Sequence, residues 1–185
     1  MIEDVLSQTQ AKMTKSVEVM EKDLASIRTG RATASLVEHI TVDYYGNPMP
    51  LNQLATITVP EARVIAIQPW DKQSASPIEK AILRSDLGLN PVNDGTLIRL
   101  PIPLLTEERR KDLVKVVRRR IEDGKVSVRN VRRDGLESLR ALEKSKEISQ
   151  DEQKRAQERI QKVTDAFIEQ ADALGAKKEA ELMEV

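Results

Sequence analysis

The stretch TEERRKDLVKVVRRRIEDGKVSVRNVRRDGLESLRALEKSKEISQDE, residues 106–152, determines the fold class of this chain. It contains no proline, and Thr106 can cap a helix whose first turn carries two glutamates, where the helix dipole favours acids. Apolar residues recur along it at helical spacing, at Leu113, Val117, Val128, Val131, Leu139 and Leu142. The pattern predicts one amphipathic helix from Thr106 to about Lys144, roughly 58 Å long at about 1.5 Å per residue.

The same stretch contains the start of a second long helix. Residues 149–152 read SQDE, a capping-box sequence, and the short turn KEIS occupies residues 146–149. The apolar stripe of the new helix is expected at Ile160, Val163, Phe167, Ala171, Leu174 and Leu182. Two long helices joined by so short a turn are predicted to pack antiparallel.

Proline placement separates the chain into three blocks. All eight prolines lie between Pro48 and Pro103, and a proline in a helix interior costs about 3 kcal/mol. Before them, apolar residues repeat every seven positions at Leu6, Met13, Met20 and Ile27, which predicts a helix ending near Thr29-Gly30. Residues 1–29 and 106–185 are therefore predicted to form an elongated antiparallel three-helix bundle, because each helix has one apolar stripe to bury.

Residues 31–104 have a different pattern from the flanks. The segments 40–44, 55–59, 63–67 and 96–100 are short, rich in apolar and β-branched residues and separated by turn sequences, so each is predicted to be a strand. The prediction is a small inserted domain of strands and one helix, and the chain as a whole is assigned to the α+β class.

One short helix is expected inside the insert. Ser76 is a candidate N-cap, Pro77 suits the first helical position, and Glu79 completes a capping box. Leu87-Gly88 is expected to close this helix, because glycine is favoured just past a helix end.

Two connections join the insert to the bundle, and hinges are predicted near residues 29–31 and 101–106. A domain on two adjacent short connections can swing, although static double connections are just as common. The candidate hinge residues are Thr29, Gly30, Arg31, Pro101, Pro103, Leu104 and Leu105.

Several classes of function have no support in the composition. The chain has no cysteine and one histidine, His39, so thiolate chemistry and multi-histidine metal sites are excluded and no metal is expected. No phosphate-binding glycine loop or nucleophile elbow is present, so the chain is not expected to be an enzyme. The N-terminus is polar and no stretch approaches 18 apolar residues, which predicts a cytoplasmic protein without membrane contact.

The formal net charge is zero, but the charge is unevenly distributed. Residues 107–146 carry 14 basic and 8 acidic side chains, whereas residues 147–185 carry 6 basic and 10 acidic ones. Six bases of the middle helix fall within roughly 100° of arc, namely Lys111, Lys115, Arg118, Lys125, Arg129 and Arg132. In VSVRNVRRD, residues 126–134, we expect the arginines to face outward and the valines to face the bundle.

This basic edge has two interpretations that composition leaves open. It can be a solvated face whose bases pair with acids of the third helix, or an edge that binds phosphates of folded RNA. Two functional hypotheses follow: an RNA-binding translation factor, or a protein-binding helical adaptor without nucleic-acid contact. Salt dependence of binding separates them, because counterion release accompanies phosphate binding.

Five motifs spread along the whole chain resemble the bacterial ribosome recycling factor family. They are IRTGRA (27–32), DYYGNPMPLNQLA (43–55), DLGLNP (86–91), LPIPLLTEERRKDL (100–113) and VRNVRRD (128–134). The resemblance implies an L-shaped molecule with a near-rigid three-helix bundle and an inserted β/α/β domain. It depends on five motifs in order rather than on any single one.

The resemblance also implies a function. Such a factor binds RNA of the large ribosomal subunit across the A and P sites, and elongation factor G with GTP then splits the post-termination ribosome. The factor itself hydrolyses nothing and needs no cofactor, because GTP is used by elongation factor G, and a monomer is expected.

The motifs of the resemblance also implicate individual residues. The functional arginine of VRNVRRD falls on Arg132, with Arg129 and Arg133 beside it, and the basic edge adds Arg118 and Lys125. The IRTGRA and TEERRK motifs implicate further arginines near the hinge, which are Arg28, Arg31 and Arg110. Gly124 and Gly135 depart from the family pattern inside the middle helix, where each costs about 1 kcal/mol relative to alanine.

Overall fold

The computed structural model describes residues 1–184, which divide into two compact units. One unit combines Met1–Leu24 with the residues from Asp112 onward, and the other is Ala25–Lys111. Residues 25–29 and 106–111, which the sequence assigns to the bundle, thus group with the insert. The predicted mixture of helices and sheet is confirmed.

Four α-helices account for most of the chain. They are α1 (Ile2–Ala25), α2 (Ala75–Arg84), α3 (Glu107–Lys144) and α4 (Gln150–Met183). The predicted N-caps of the two longest helices are confirmed. Thr106 Oγ1 accepts a hydrogen bond from the Arg109 backbone N–H at 3.1 Å, and Ser149 and Glu152 form a complete capping box.

In the first unit, contacts between helices show the predicted antiparallel order. The Ser16 and Ser127 hydroxyls lie 2.9 Å apart, while Asp23, further along α1, pairs with Arg120, which is earlier in α3. The core of this unit includes Met13, Val17 and Met20 of α1 with Val117, Val128 and Leu139 of α3, and Ile160 and Ala171 of α4.

Two expectations about these helices are wrong. Helix α1 ends at Ala25 rather than near Gly30, and Ile27, the last residue of the seven-residue repeat, is buried from a bend outside the helix. Val126 does not face the bundle and is 45% exposed, because it lies about 200° around the helix from buried Val128.

Helix α3 continues unbroken through Gly124 and Gly135, and side chains of α1 pack closely against it at both positions. A Cβ atom at Gly124 would lie 2.5 Å from Met20 Sδ, and one at Gly135 would lie 2.7 Å from Thr9 Oγ1. The glycines therefore permit close approach of α1 to α3.

The second unit contains two antiparallel sheets. Its strands are β1 (Thr41–Tyr44), β2 (Asn47–Pro50), β3 (Ala55–Glu61), β4 (Val64–Pro69), β5 (Val92–Asn93) and β6 (Ile98–Pro101). The first two form a hairpin, and the other four form a sheet in the order β3-β4-β6-β5. Neither β2 nor the two-residue β5 is among the predicted strands, and in β2 the prolines Pro48 and Pro50 argue against a strand.

The predicted capping of α2 is wrong at both ends. Asp71 accepts a hydrogen bond from the Gln73 backbone N–H at 3.0 Å and starts a 3₁₀ turn that leads directly into α2. The chain is consequently already helical at Ser76. The helix ends at Arg84, not at Leu87-Gly88, because Ser85 is extended and its hydroxyl donates to the carbonyl of Ile82 at 2.6 Å.

Candidate nucleic-acid interface

The basic side chains of α3 form two rows with different surroundings. The first, which we call the seam row, consists of Arg118, Lys125 and Arg132 at a spacing of seven residues. These three lie within about 40° of arc, on the side of α3 that meets α4. The row is therefore placed at the boundary between the two helices.

Each member of the seam row contacts a polar side chain of α4. Arg118 Nε donates to Glu179 Oε1 at 2.9 Å, and this hydrogen bond raises the pKa of Arg118. Lys125, with 17% of its side chain exposed, pairs with Asp172. Arg132 differs from both, because its Nε donates to the uncharged side-chain amide of Gln161.

The second row, which we call the outer row, is exposed. It is made up of the bases between residues 115 and 140 that lie about 20° to 100° around the helix from Arg118, and they are Lys115, Arg119, Arg129, Arg133 and Arg140. Arg129 Nη1 donates to Glu122 Oε1 at 3.0 Å on the same helix. Among residues 1–184 the other four have neither an ion pair nor a side-chain hydrogen bond.

The two interpretations of the basic edge apply to different parts of it. Pairing with acids of the third helix occurs at Arg118 and Lys125, whose charges are compensated. Arg133 is exposed and uncompensated within the described chain. Its guanidinium can take a phosphate without first breaking an ion pair.

Sequence reasoning missed two members of the outer row, Arg119 and Arg140. The signal that could have found them is the helical wheel centred on Arg129 and Arg133, which includes both. Arg140 already lies within the roughly 100° arc of the six bases named from the sequence, whereas Arg119 lies about 40° outside that arc.

A second group of arginines lies in the unit that contains the insert. Burial lowers the pKa of Arg28, and the nearby positive charge of Arg109 lowers it further. Arg110 Nε is buried and has no hydrogen-bond partner within residues 1–184. Arg31 is exposed. Like charges held close together favour binding of an anion, which would relieve their repulsion.

The two predicted hinge segments are close to each other within that unit. A Cβ atom at Gly30 would lie 3.8 Å from Leu105 Cγ. Leu105 is buried and Leu104 is 61% exposed. The Ile102 N–H donates to the Arg63 carbonyl at 2.7 Å, which continues the pairing of β4 with β6 and anchors the returning connection to the sheet. Hinge motion remains a prediction.

Exposed aromatic residues occur on the insert. Trp70 is 65% exposed and its Nε1–H donates to Thr56 Oγ1 at 2.8 Å. Tyr45 is 70% exposed and donates to Gln73 Oε1 at 2.6 Å. Its ring makes an edge contact with Tyr44, the centroids being 4.6 Å apart. Exposed aromatics of this kind are enriched at protein–protein interfaces.

Two other kinds of site have no support within residues 1–184. No group of three or more His, Cys, Asp or Glu side chains there could hold a metal ion. No helix in the same range has the length and apolar content to span a membrane.

Comparison with known proteins gives a uniform result. The family described as "Ribosome recycling factor" matches residues 20–183. Ribosome-recycling factors from Syntrophomonas wolfei and Chloroflexus aurantiacus are each 57% identical over 185 residues, covering 100% of both chains. That from Dehalococcoides mccartyi strain 195 is 54% identical with the same coverage.

Solved structures agree with the sequence matches. A solution structure of a ribosome recycling factor superposes with a TM-score of 0.78 at 45% identity, covering 100% of this chain and 98% of that one. A second match belongs to models for the T. thermophilus ribosome recycling factor and the E. coli elongation factor G bound to the E. coli post-termination complex. Its TM-score is 0.68 at 49% identity, with 100% of both chains covered.

Proposed function

The chain belongs to the ribosome recycling factor family, and from this premise we propose that it recycles ribosomes after translation termination. The bundle binds the large ribosomal subunit across the A and P sites, and elongation factor G with GTP then splits the post-termination complex into subunits. The similar structure of a recycling factor with elongation factor G on the post-termination complex supports both partners.

The chain acts in this proposal as a binding protein and not as an enzyme. It needs no cofactor or metal, because GTP is bound and hydrolysed by elongation factor G. It works as a monomer in the cytoplasm, where the ribosomes are.

The outer row of α3 is the observation that carries the proposal. Four of its five bases are exposed and uncompensated within residues 1–184, and they are fixed on one side of a single helix. Rigid, uncompensated cations can contact successive phosphates of folded RNA and release counterions from it. Arg129, Arg132 and Arg133 are assigned to ribosomal RNA, with Lys125 and Arg118 beside them at the seam.

The arginines near the two connections supply a second contact region. Arg28, Arg31 and Arg110 are assigned to ribosome binding on the basis of their motifs. The lowered pKa of Arg28 and the unpartnered Nε of Arg110 support this assignment, since both are relieved by a bound anion.

The insert is assigned to the response to elongation factor G. It rotates about the segments near Gly30 and Leu105, and the GTPase pushes on it to transmit force to contacts between the subunits. The adjacency of the two segments supports a common pivot. The exposed Trp70 and Tyr45 are suited to contact a protein partner.

Light scattering of post-termination ribosomes tests the proposal. Ribosomes are mixed with elongation factor G, GTP and the protein as wild type, Arg132→Ala or Arg120→Ala. Arg120 is the matched control, because its substitution removes the same charge from α3 on the side that pairs with Asp23 of α1. Scattering should fall with wild type and with Arg120→Ala, and much less with Arg132→Ala.

Two results would overturn the proposal. If wild type causes no fall while ribosomes and GTPase pass their own controls, recycling activity is absent. If wild type binds ribosomes with an affinity that does not change with salt, the contact is not to phosphate and a protein-binding adaptor is the better description.

A further inference from the structure

A chain of hydrogen bonds holds Arg132 at the seam between α3 and α4. Arg132 Nε donates to Gln161 Oε1 at 2.8 Å, and Gln161 Nε2 donates to Asp165 Oδ1 at 2.8 Å. Both bonds involve the same amide, so they fix its orientation. A reversed amide would place its N–H₂ group against the guanidinium and its oxygen against the carboxylate, and both contacts would be repulsive.

This arrangement controls what Arg132 offers to a ligand. With Nε occupied by Gln161, the edge formed by Nη1 and Nη2 is left for a further partner, and that edge matches the two oxygens of a phosphate. The amide oxygen carries no net charge, so it orients the guanidinium without neutralising it.

The other two members of the seam row have a carboxylate as partner instead of an amide. Arg118 faces Glu179 and Lys125 faces Asp172, so a carboxylate compensates each cation. Only Arg132, within the seam row, faces an amide. The sequence therefore places glutamine at the one position where a carboxylate would neutralise the arginine of the VRNVRRD motif.

The neighbourhood of Gln161 on α4 is also rich in amides. A groove of about 460 Å³ on this part of α4 is lined by Gln150, Gln153, Lys154, Gln157, Glu158 and Gln161. The compensating acids Asp172 and Glu179 occur more than two turns further along the helix. At the end of the seam that holds Arg132, the nearby acids Glu158 and Asp165 form no ion pair with it within residues 1–184.

We propose that Gln161 is a positioning residue that presents the free edge of Arg132 to a phosphate of large-subunit RNA while leaving its charge uncompensated. This inference depends on the proposed function, and it adds a residue of α4 to a surface otherwise formed by α3.

The substitution Gln161→Glu tests the inference with little change of shape. A carboxylate can accept the same hydrogen bond from Arg132 but neutralises it. Binding to purified large ribosomal subunits should weaken about tenfold, as for loss of one charge-assisted hydrogen bond. The dependence of log affinity on log salt should become shallower by about one ion. A purely structural role for Gln161 would leave that slope unchanged.

Two further variants separate this effect from simple charge repulsion. Gln170→Glu adds the same charge to α4 about 180° away around the helix, and it should bind like wild type. In an Arg132→Ala background, Gln161→Glu should cause no further loss, because the residue it acts through is absent.

The outcomes distinguish failure of the proposed function from failure of the role of Gln161. If wild type binds large subunits without salt dependence, the proposed function fails. If Arg132→Ala weakens binding while Gln161→Glu binds like wild type, the proposed function stands and the role of Gln161 is overturned. That role is also overturned if Gln161→Glu weakens binding equally with and without Arg132, because direct repulsion then explains the loss.

Discussion

At the scale of single residues, the missing side chain at Gly135 sets how closely α1 and α3 approach. Gly135→Ala should gain about 1 kcal/mol in intrinsic helix propensity but place a methyl group 2.7 Å from Thr9 Oγ1 and 3.2 Å from Ile160 Cδ1. Overpacking of this kind typically costs about 1 to 3 kcal/mol. We expect a net loss of stability of about 1 kcal/mol in urea unfolding.

A double variant provides the control for this prediction. Thr9→Ala removes the two Thr9 atoms nearest the new methyl group, so Gly135→Ala should be less destabilising in that background. If Gly135→Ala alone raises the free energy of unfolding, the close approach is not a constraint and the glycine is there for another reason.

Asp94 gives stability a dependence on pH. Its carboxylate accepts hydrogen bonds from the Leu97 and Thr96 backbone N–H groups, and these bonds lower its pKa, with a smaller effect from Arg99. A lowered folded pKa means that the stabilisation is present above the unfolded value of about 3.9 and is lost as the pH falls through the folded value.

As the pH falls below about 4, Asp94→Asn should therefore lose less stability than the wild type. NMR titration of Asp94 in the wild type should give a midpoint below the ordinary aspartate pKa. Asp86→Asn is the control, because Asp86 is exposed and makes no side-chain hydrogen bond within residues 1–184. An Asp94 midpoint above the ordinary value would contradict the prediction.

At the scale of secondary-structure elements, the start of α4 depends on its capping box. Ser149 Oγ accepts from the Glu152 N–H at 3.1 Å, and Glu152 Oε2 accepts from the Ser149 N–H at 3.0 Å. Ser149→Ala should cost about 1 kcal/mol, or roughly 2 to 4 °C in Tm for a chain of this size. Ser145→Ala is the comparison, since its hydroxyl donates to the Leu142 carbonyl and caps no N–H group. Equal Tm values for the two variants would count against the cap.

The two rows of α3 should differ in what they contribute. Arg133→Ala should leave stability within about 0.5 kcal/mol of wild type and make the salt dependence of large-subunit binding shallower by about one ion. Arg118→Ala removes a base already compensated by Glu179, so its effect on the salt slope should be smaller. The reverse order of the two slopes would show that Arg118, despite its pairing with Glu179, contributes more to the phosphate contact than Arg133 does.

The ends of helices and strands show which parts of the fold could be predicted from the sequence. Helix α3 and the cap of α4 could be predicted because proline absence, apolar spacing and capping residues all agree there. Both ends of α2 could not, because a hydrogen bond accepted by Asp71 and one donated by Ser85 compete with signals of similar strength. The end of α1 could not either, because the seven-residue repeat continues to Ile27 while the helix stops at Ala25. The two-residue β5 is too short to leave a pattern.

The candidate interface was predictable only in part, for a related reason. Helical spacing places the bases of α3 on one side of the helix, and motif resemblance selects Arg132 among them. Partners on a separate helix leave no trace in local spacing. The distinction between compensated Arg118 and uncompensated Arg133, and the role of Gln161, therefore depended on knowing how α3 and α4 pack.

At the scale of the whole molecule, the insert has a core of its own. Its fully buried side chains include Leu51, Ile65, Ile67, Ile78 and Leu100, with Val37 and Ile98. The two predicted hinge segments lie side by side inside this unit, at Gly30 and Leu105, while the chain passes between the two units at residues 24–25 and 111–112. Motion of such a unit as one body need not break its own packing.

Labels on the two units can detect that motion. The chain has no cysteine, so Ser76→Cys in the insert and Gln170→Cys in α4 give two unique dye sites, both exposed in the wild type. We expect fluorescence transfer between the dyes on ribosome-bound protein to change when elongation factor G and a non-hydrolysable GTP analogue are added. Gly30→Ala should reduce the change, because alanine at φ +86° carries a penalty of about 1 to 2 kcal/mol and restricts the pivot. Unchanged transfer during normal subunit splitting would mean that force reaches the ribosome without rotation of the insert.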